Sequence, residues 1–151
     1  MRRFVLPLVL AVGACTSEAP ILPDDPCALV SPADVEAATD STVTRSGPIP
    51  DWRKRLATDR DPNPCEYVTD GEHGSIAVYV DPHGAADFTR MRDKDPVNSE
   101  AIDGLGDEAF VFGLAVLYVR VGGGYFAMKT QHGAGWPGAR DLEDLARAAL
   151  D

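Results

Sequence analysis

The chain has 151 residues, a formal net charge of −10 and 25% charged residues. That length is enough for one domain and too short for two comfortable ones. The acidic balance excludes nucleic acid as a general partner, because phosphate binding needs a basic footprint. Acidity alone names no ligand.

The first fifteen residues carry an address. Arg2 and Arg3 make a basic start, Phe4 to Val12 form an apolar run broken only by Pro7, and Gly13 and Ala14 follow. This is the three-part layout of a secretory signal. The run is too short to span a bilayer, which takes about 20 apolar residues. Val12-Gly13-Ala14-Cys15 resembles a lipobox, in which a cysteine thiol is acylated and cleavage leaves that cysteine first. We therefore expect residues 1–14 to be a signal peptide and Cys15 to carry the lipid, palmitate among its acyl groups. Two acyl chains give the stable anchoring that one cannot. The expected location is extracytoplasmic, with the membrane as a partner through the anchor. Arg2-Arg3 fits an ordinary basic start better than a twin-arginine signal, and the export route stays open between the two. Cleavage after Ala14 leaves 137 residues with a net charge of −12.

Residues 15–26 read as the lipidated cysteine and a flexible tether, since Pro20, Pro23, Pro26 and the Asp24-Asp25 pair oppose helix and strand alike. The folded domain is expected over 27–151. With Cys15 committed to lipid, Cys27 and Cys65 remain. In an oxidising compartment they have one obvious partner each. A bridge is favoured over two free thiols or a metal pair, because the spacing matches no zinc pattern. It would contribute roughly 4 kcal/mol by restricting the unfolded chain.

Ser31, Pro32 and Asp34 are helix-start residues, and Val30 and Val35 stand where a hydrophobic staple would place them, so a short helix is predicted over 32–39. Residues 40–64, broken by Pro48, Pro50, Pro62 and Pro64, read as the least structured part of the domain. Residues 65–68 and 75–80 are predicted strands joined at Asp70-Gly71-Glu72-His73-Gly74. Residues 85–92 form a predicted helix with Phe88 and Met91 on one face. A polar connection leads to strands at 109–112, 115–121 and 125–130, the last two joined at Gly122-Gly123-Gly124. A final helix carries Leu142, Leu145, Ala146, Ala149 and Leu150 on one stripe, with Asp141 near its start. The predicted fold is α+β, one mainly antiparallel sheet of about five strands with helices packed on it, in the order α-β-β-α-β-β-β-α.

Three stretches carry a resemblance. Pro26-Cys27-Ala28-Leu29-Val30-Ser31-Pro32-Ala33-Asp34-Val35 follows the tether, Pro64-Cys65-Glu66-Tyr67 sets a second cysteine before an aromatic, and Asp103-Gly104-Leu105-Gly106-Asp107-Glu108-Ala109-Phe110 leads into the later strands. Together they resemble the actinobacterial cell-envelope lipoproteins grouped as domain-of-unknown-function family 3558, over about residues 26–151. The resemblance implies an exported, often lipidated α+β domain with a paired cysteine, and it carries over no catalytic residue. Ala37-Ala38-Thr39-Asp40 departs from it, lacking the Leu-Gly ending expected after the first helix.

The chemistry-bearing motifs are incomplete. Gly104-Leu105-Gly106-Asp107-Glu108-Ala109 fits a dinucleotide fingerprint as letters, but a polar loop precedes it and a strand follows, where the fingerprint needs a strand and then a helix. Asp59-Arg60-Asp61-Pro62-Asn63 starts like a calcium loop, yet Pro64 occupies the place of the turn glycine and Asp70 that of the final glutamate. His73, His83 and His132 each precede a glycine and form no His-Glu-x-x-His or Cys–His cluster. Ser75 sits in no nucleophile elbow, and neighbours such as Asp107-Glu108 point to opposite faces of a strand. No metal, cofactor or catalytic residue is expected. Trp52, beside Arg53-Lys54-Arg55, and Trp136, in a glycine-rich segment, are the candidate partner contacts.

The leading expectation is a non-enzymatic binding or accessory module for an unknown protein or small-molecule ligand. One alternative is an apolar-ligand or lipid carrier whose 109–121 strands line a cavity. Another is a hydrolase built from dispersed carboxylates and histidines.

Overall fold

The computed structural model describes residues 21–49, 64–71, 74–113, 116–131 and 139–151. The N-terminal arm leads into a 3-10 turn at Pro26–Ala28, whose first N–H groups are met by Asp25: its carboxylate accepts from Cys27 N at 2.9 Å. Helix α1 (Pro32–Thr39) starts as expected. Asp34 N donates to Ser31 Oγ at 3.2 Å, and Ser31 N donates back to Asp34 Oδ2 at 2.7 Å, a reciprocal capping box. Hydrogen bonds from the Ser31 hydroxyl and N–H hold the Asp34 carboxyl below the usual carboxylate range. Val30 and Val35 are both buried, and their burial fixes the angle at which the chain enters α1.

Seven strands follow in one sheet, where about five were expected: β1 (Val43–Pro48), β2 (Cys65–Thr69), β3 (Ser75–Asp81), β4 (Ser99–Ile102), β5 (Glu108–Phe112), β6 (Val116–Val121) and β7 (Gly124–Gln131). Helix α2 (Ala85–Lys94) lies between β3 and β4, and α3 (Ala139–Ala148) closes the chain. The observed order is therefore α-β-β-β-α-β-β-β-β-α, correcting the expected one. The spatial order is β1-β2-β3-β7-β6-β5-β4, and every neighbouring pair is antiparallel. The two strands missed in the sequence are the two edges. β1 occupies part of the 40–64 segment read as unstructured, and its register shifts between Val43 and Arg45. An edge strand pairs on one side only and needs no continuous apolar pattern, so its sequence reads as loop.

Alternation sorts the strand side chains onto two faces. Cys65, Tyr67, Ile76, Val78, Val111, Leu117, Val119, Phe126 and Met128 face Val35 of α1 and Leu142, Leu145 and Ala146 of α3 in one core. On the opposite face Phe88 of α2 packs on Phe110, Tyr125 and Ala127, its ring 5.1 Å from that of Phe110 in an edge-on contact. The sheet is thus covered by α1 and α3 on one side and by α2 on the other. A disulfide joins Cys27 to Cys65, with Cα atoms 5.1 Å apart, tying the 3-10 turn to the start of β2. Beside it the Tyr67 hydroxyl donates to Val30 O at 2.6 Å.

Packing begins ahead of the boundary at residue 27. Leu22 and Pro26 are buried, and Leu22 belongs to the main core. Both residues lie within the 15–26 stretch read as a tether.

Candidate functional site

β3 ends at Asp81, and Pro82-His83-Gly84 turns the chain into α2. The Asp81 carboxylate accepts from His83 N at 3.0 Å, closing a side-chain-mediated turn. Two glycines bring this turn against the β6–β7 hairpin. A Cβ on Gly84 would stand 2.4 Å from Asp81 Oδ2 and 2.5 Å from Tyr125 Cε1. One on Gly124 would stand 2.6 Å from Asp81 O. Ala85 N then donates to Gly123 O at 3.1 Å, and Gly122 N to Asp107 Oδ2 at 2.6 Å. Gly122, at φ 57°, takes the positive-φ place of this two-residue turn.

The N-terminal arm runs past this junction. Leu22 enters the core, while Ile21 stays 88% exposed. Arm, turn and hairpin together border an open hollow of about 490 Å³ at this end of the sheet. Ile21, Leu22 and Asp24 come from the arm, Pro82 and His83 from the turn, and Val121, Gly122 and Gly123 from the hairpin. Its volume is in the range of small-molecule sites, and its lining combines apolar side chains with a few polar groups, as such sites do. Asp24 and His83 are exposed, and their side chains make no hydrogen bond or ion pair among the described residues. Ionised Asp24 can only accept hydrogen bonds, whereas a neutral imidazole both donates and accepts.

The residues singled out from the sequence distribute as follows. Cys27 and Cys65 are brought together in the disulfide. Cys15, Trp52, Trp136, His73, His132 and the Asp59–Asn63 stretch lie outside the described residues. His83 is at the hollow. Gly104 and Gly106 both have positive φ and lead into β5, and a Cβ on Gly106 would stand 2.6 Å from Arg120 O, so these glycines serve a tight turn against β6. Asp107 caps the hairpin, while Glu108 lies between Arg92 and Arg120 in an ion-pair network joining α2 to β5 and β6. Ser75 donates to Glu66 across the β2–β3 pair at 3.4 Å.

Ala109, Val111, Leu117, Val119 and Val121, on the strands that the carrier alternative places around a cavity, are packed in the main core. Among the described residues no group of three or more His, Cys, Asp or Glu side chains is placed to hold a metal ion. No described helix is long and apolar enough to cross a membrane.

The hollow itself was missed in the sequence. Its signal was present: Ile21-Leu22 is an apolar pair inside a proline-rich, acidic stretch, where a tether has no use for one. Pro82 and His83 offered none, because only the fold brings them to the arm. Comparison of the chain with known protein families, with characterised proteins and with solved structures found no match.

Proposed function

We propose that this chain is an exported, lipid-anchored envelope protein. In this reading residues 1–14 are removed, Cys15 bears the lipid, and the α+β domain is a non-enzymatic binding or accessory module held at the membrane. The observation that carries it is the Cys27–Cys65 disulfide, since such bonds persist in oxidising compartments outside the cytoplasm. The lipobox-like Val12-Gly13-Ala14-Cys15 and the resemblance to domain-of-unknown-function family 3558 support the same location. The hollow supports a binding role, offering apolar surface beside polar side chains that have no hydrogen-bond partner among the described residues. Trp52 and Trp136 remain proposed partner contacts.

The test of the anchor is Cys15→Ser. Removing the thiol removes the lipid attachment, and the protein is expected to move from the membrane fraction to the soluble one. A variant that fractionates with membranes like its parent defeats the proposal.

A further inference from the structure

We infer that the hollow beside the N-terminal arm is a binding site for an amine-bearing, zwitterionic phospholipid of the bilayer to which the chain is anchored. The inference rests on the proposed Cys15 anchor for the source of the ligand, and on the geometry of the hollow for its chemistry.

Position comes first. Leu22 is fixed in the core, and only seven residue steps lead to it from Cys15. Fully extended, they reach no more than about 25 Å, so the end of the sheet that carries the hollow is held close to the lipid head groups. Ile21, on the same arm, borders the hollow and is 88% exposed.

Chemistry narrows the ligand. Leu22, Pro82 and Val121 supply apolar surface, while Asp24 and His83 supply the polar contacts. Asp24 calls for a donor, best a cation; the imidazole of His83 can donate to an acceptor such as a phosphate oxygen. An ammonium and a phosphate a few bonds apart on one apolar body answer both. An anionic lipid such as phosphatidylglycerol lacks the ammonium, and it approaches a mature chain of net charge −12 against repulsion.

The probe is dihexanoyl phosphatidylethanolamine, kept below its micelle threshold, with dihexanoyl phosphatidylglycerol in parallel. It is titrated into the mature chain carrying Cys15→Ser, and the imidazole resonances of His83, assigned through His83→Gln, are followed by NMR. We expect a saturable shift with the amine lipid and none with the anionic one. Asp24→Asn is expected to weaken binding by up to about fivefold, the upper end for an exposed ion pair. Gly123→Leu is expected to abolish it without unfolding the domain. A Cβ at Gly123 meets only Pro82 O at 4.0 Å, so a larger side chain fills the mouth of the hollow without a backbone clash. An unchanged thermal midpoint verifies that fold. The inference is overturned if the amine lipid gives no saturable shift, if both lipids bind alike, or if Gly123→Leu binds like its parent. Fractionation of the parent against Cys15→Ser separates the two failures. An anchored protein with an inert hollow defeats this inference alone, and an unanchored one defeats the proposed function first.

Discussion

Asp40 ends helix α1 at φ 48° and ψ 40°, a left-handed conformation that a glycine occupies without steric cost. Its carboxylate also sits at the negative end of the helix dipole. We expect Asp40→Gly to raise stability by about 1 kcal/mol and Asp40→Asn by less, read as a higher urea midpoint at unchanged slope. Thr130 offers the second residue-level test. It is buried on the core face of β7, and its hydroxyl has no hydrogen-bond partner among the described residues. Thr130→Val keeps the shape and removes the stranded polar atom, so the thermal midpoint is expected to rise, by an amount worth about 1 kcal/mol. The two positions differ in legibility. The missing glycine after α1 is visible in Ala37-Ala38-Thr39-Asp40, because helix caps are local. Nothing near Thr130 in the sequence foretells a bare hydroxyl, since that depends on what the core brings opposite it.

Among the elements, β2 carries the most. Its Tyr67 hydroxyl reaches Val30 O, and burial, helped by the carboxylates of Asp25 and Asp34, pushes the phenol up to about 12. The unfolded phenol ionises near 10, so the folded state keeps this contribution in full below pH 10 and loses it between pH 10 and 12. Two pH units correspond to on the order of 2–3 kcal/mol. Thermal unfolding followed from pH 9 to 12 is expected to show this loss, and Tyr67→Phe to flatten it while lowering stability at neutral pH by about 1 kcal/mol. Elements with a buried face were legible: α1, β3, β6, β7 and α3 announce themselves by period or by caps. β1, with Arg45, Gly47 and Pro48, and the four-residue β4 were not, because an edge is selected for poor pairing as much as for pairing.

For the whole molecule, the bridge between Cys27 and Cys65 closes a 38-residue separation. Non-reducing mass spectrometry after alkylation is expected to find both cysteines unlabelled and linked. Cys27→Ala with Cys65→Ala is expected to cost about 2–4 kcal/mol, mostly by freeing the unfolded chain. That pairing was legible because counting left only two candidates. The hollow was not, since it joins residues 21–24, 82–83 and 121–123, three stretches that share no motif and meet only in the fold, through the β3–β7 pairing and the packing of Leu22 into the core.

The same bridge sets the path of mechanical load. In a chain anchored at Cys15, as proposed, dragging the domain away from the membrane sends tension through the arm, and it reaches Cys27 within twelve residues. There it divides. One branch would have to peel off α1 and β1, while the other crosses two sulfur atoms directly into β2, a strand hydrogen-bonded on both sides. The covalent route is the stiffer, so α1 and β1 are shielded and the sheet is loaded from within. Under reducing conditions that shield is lost, and the N-terminal elements become the first to yield.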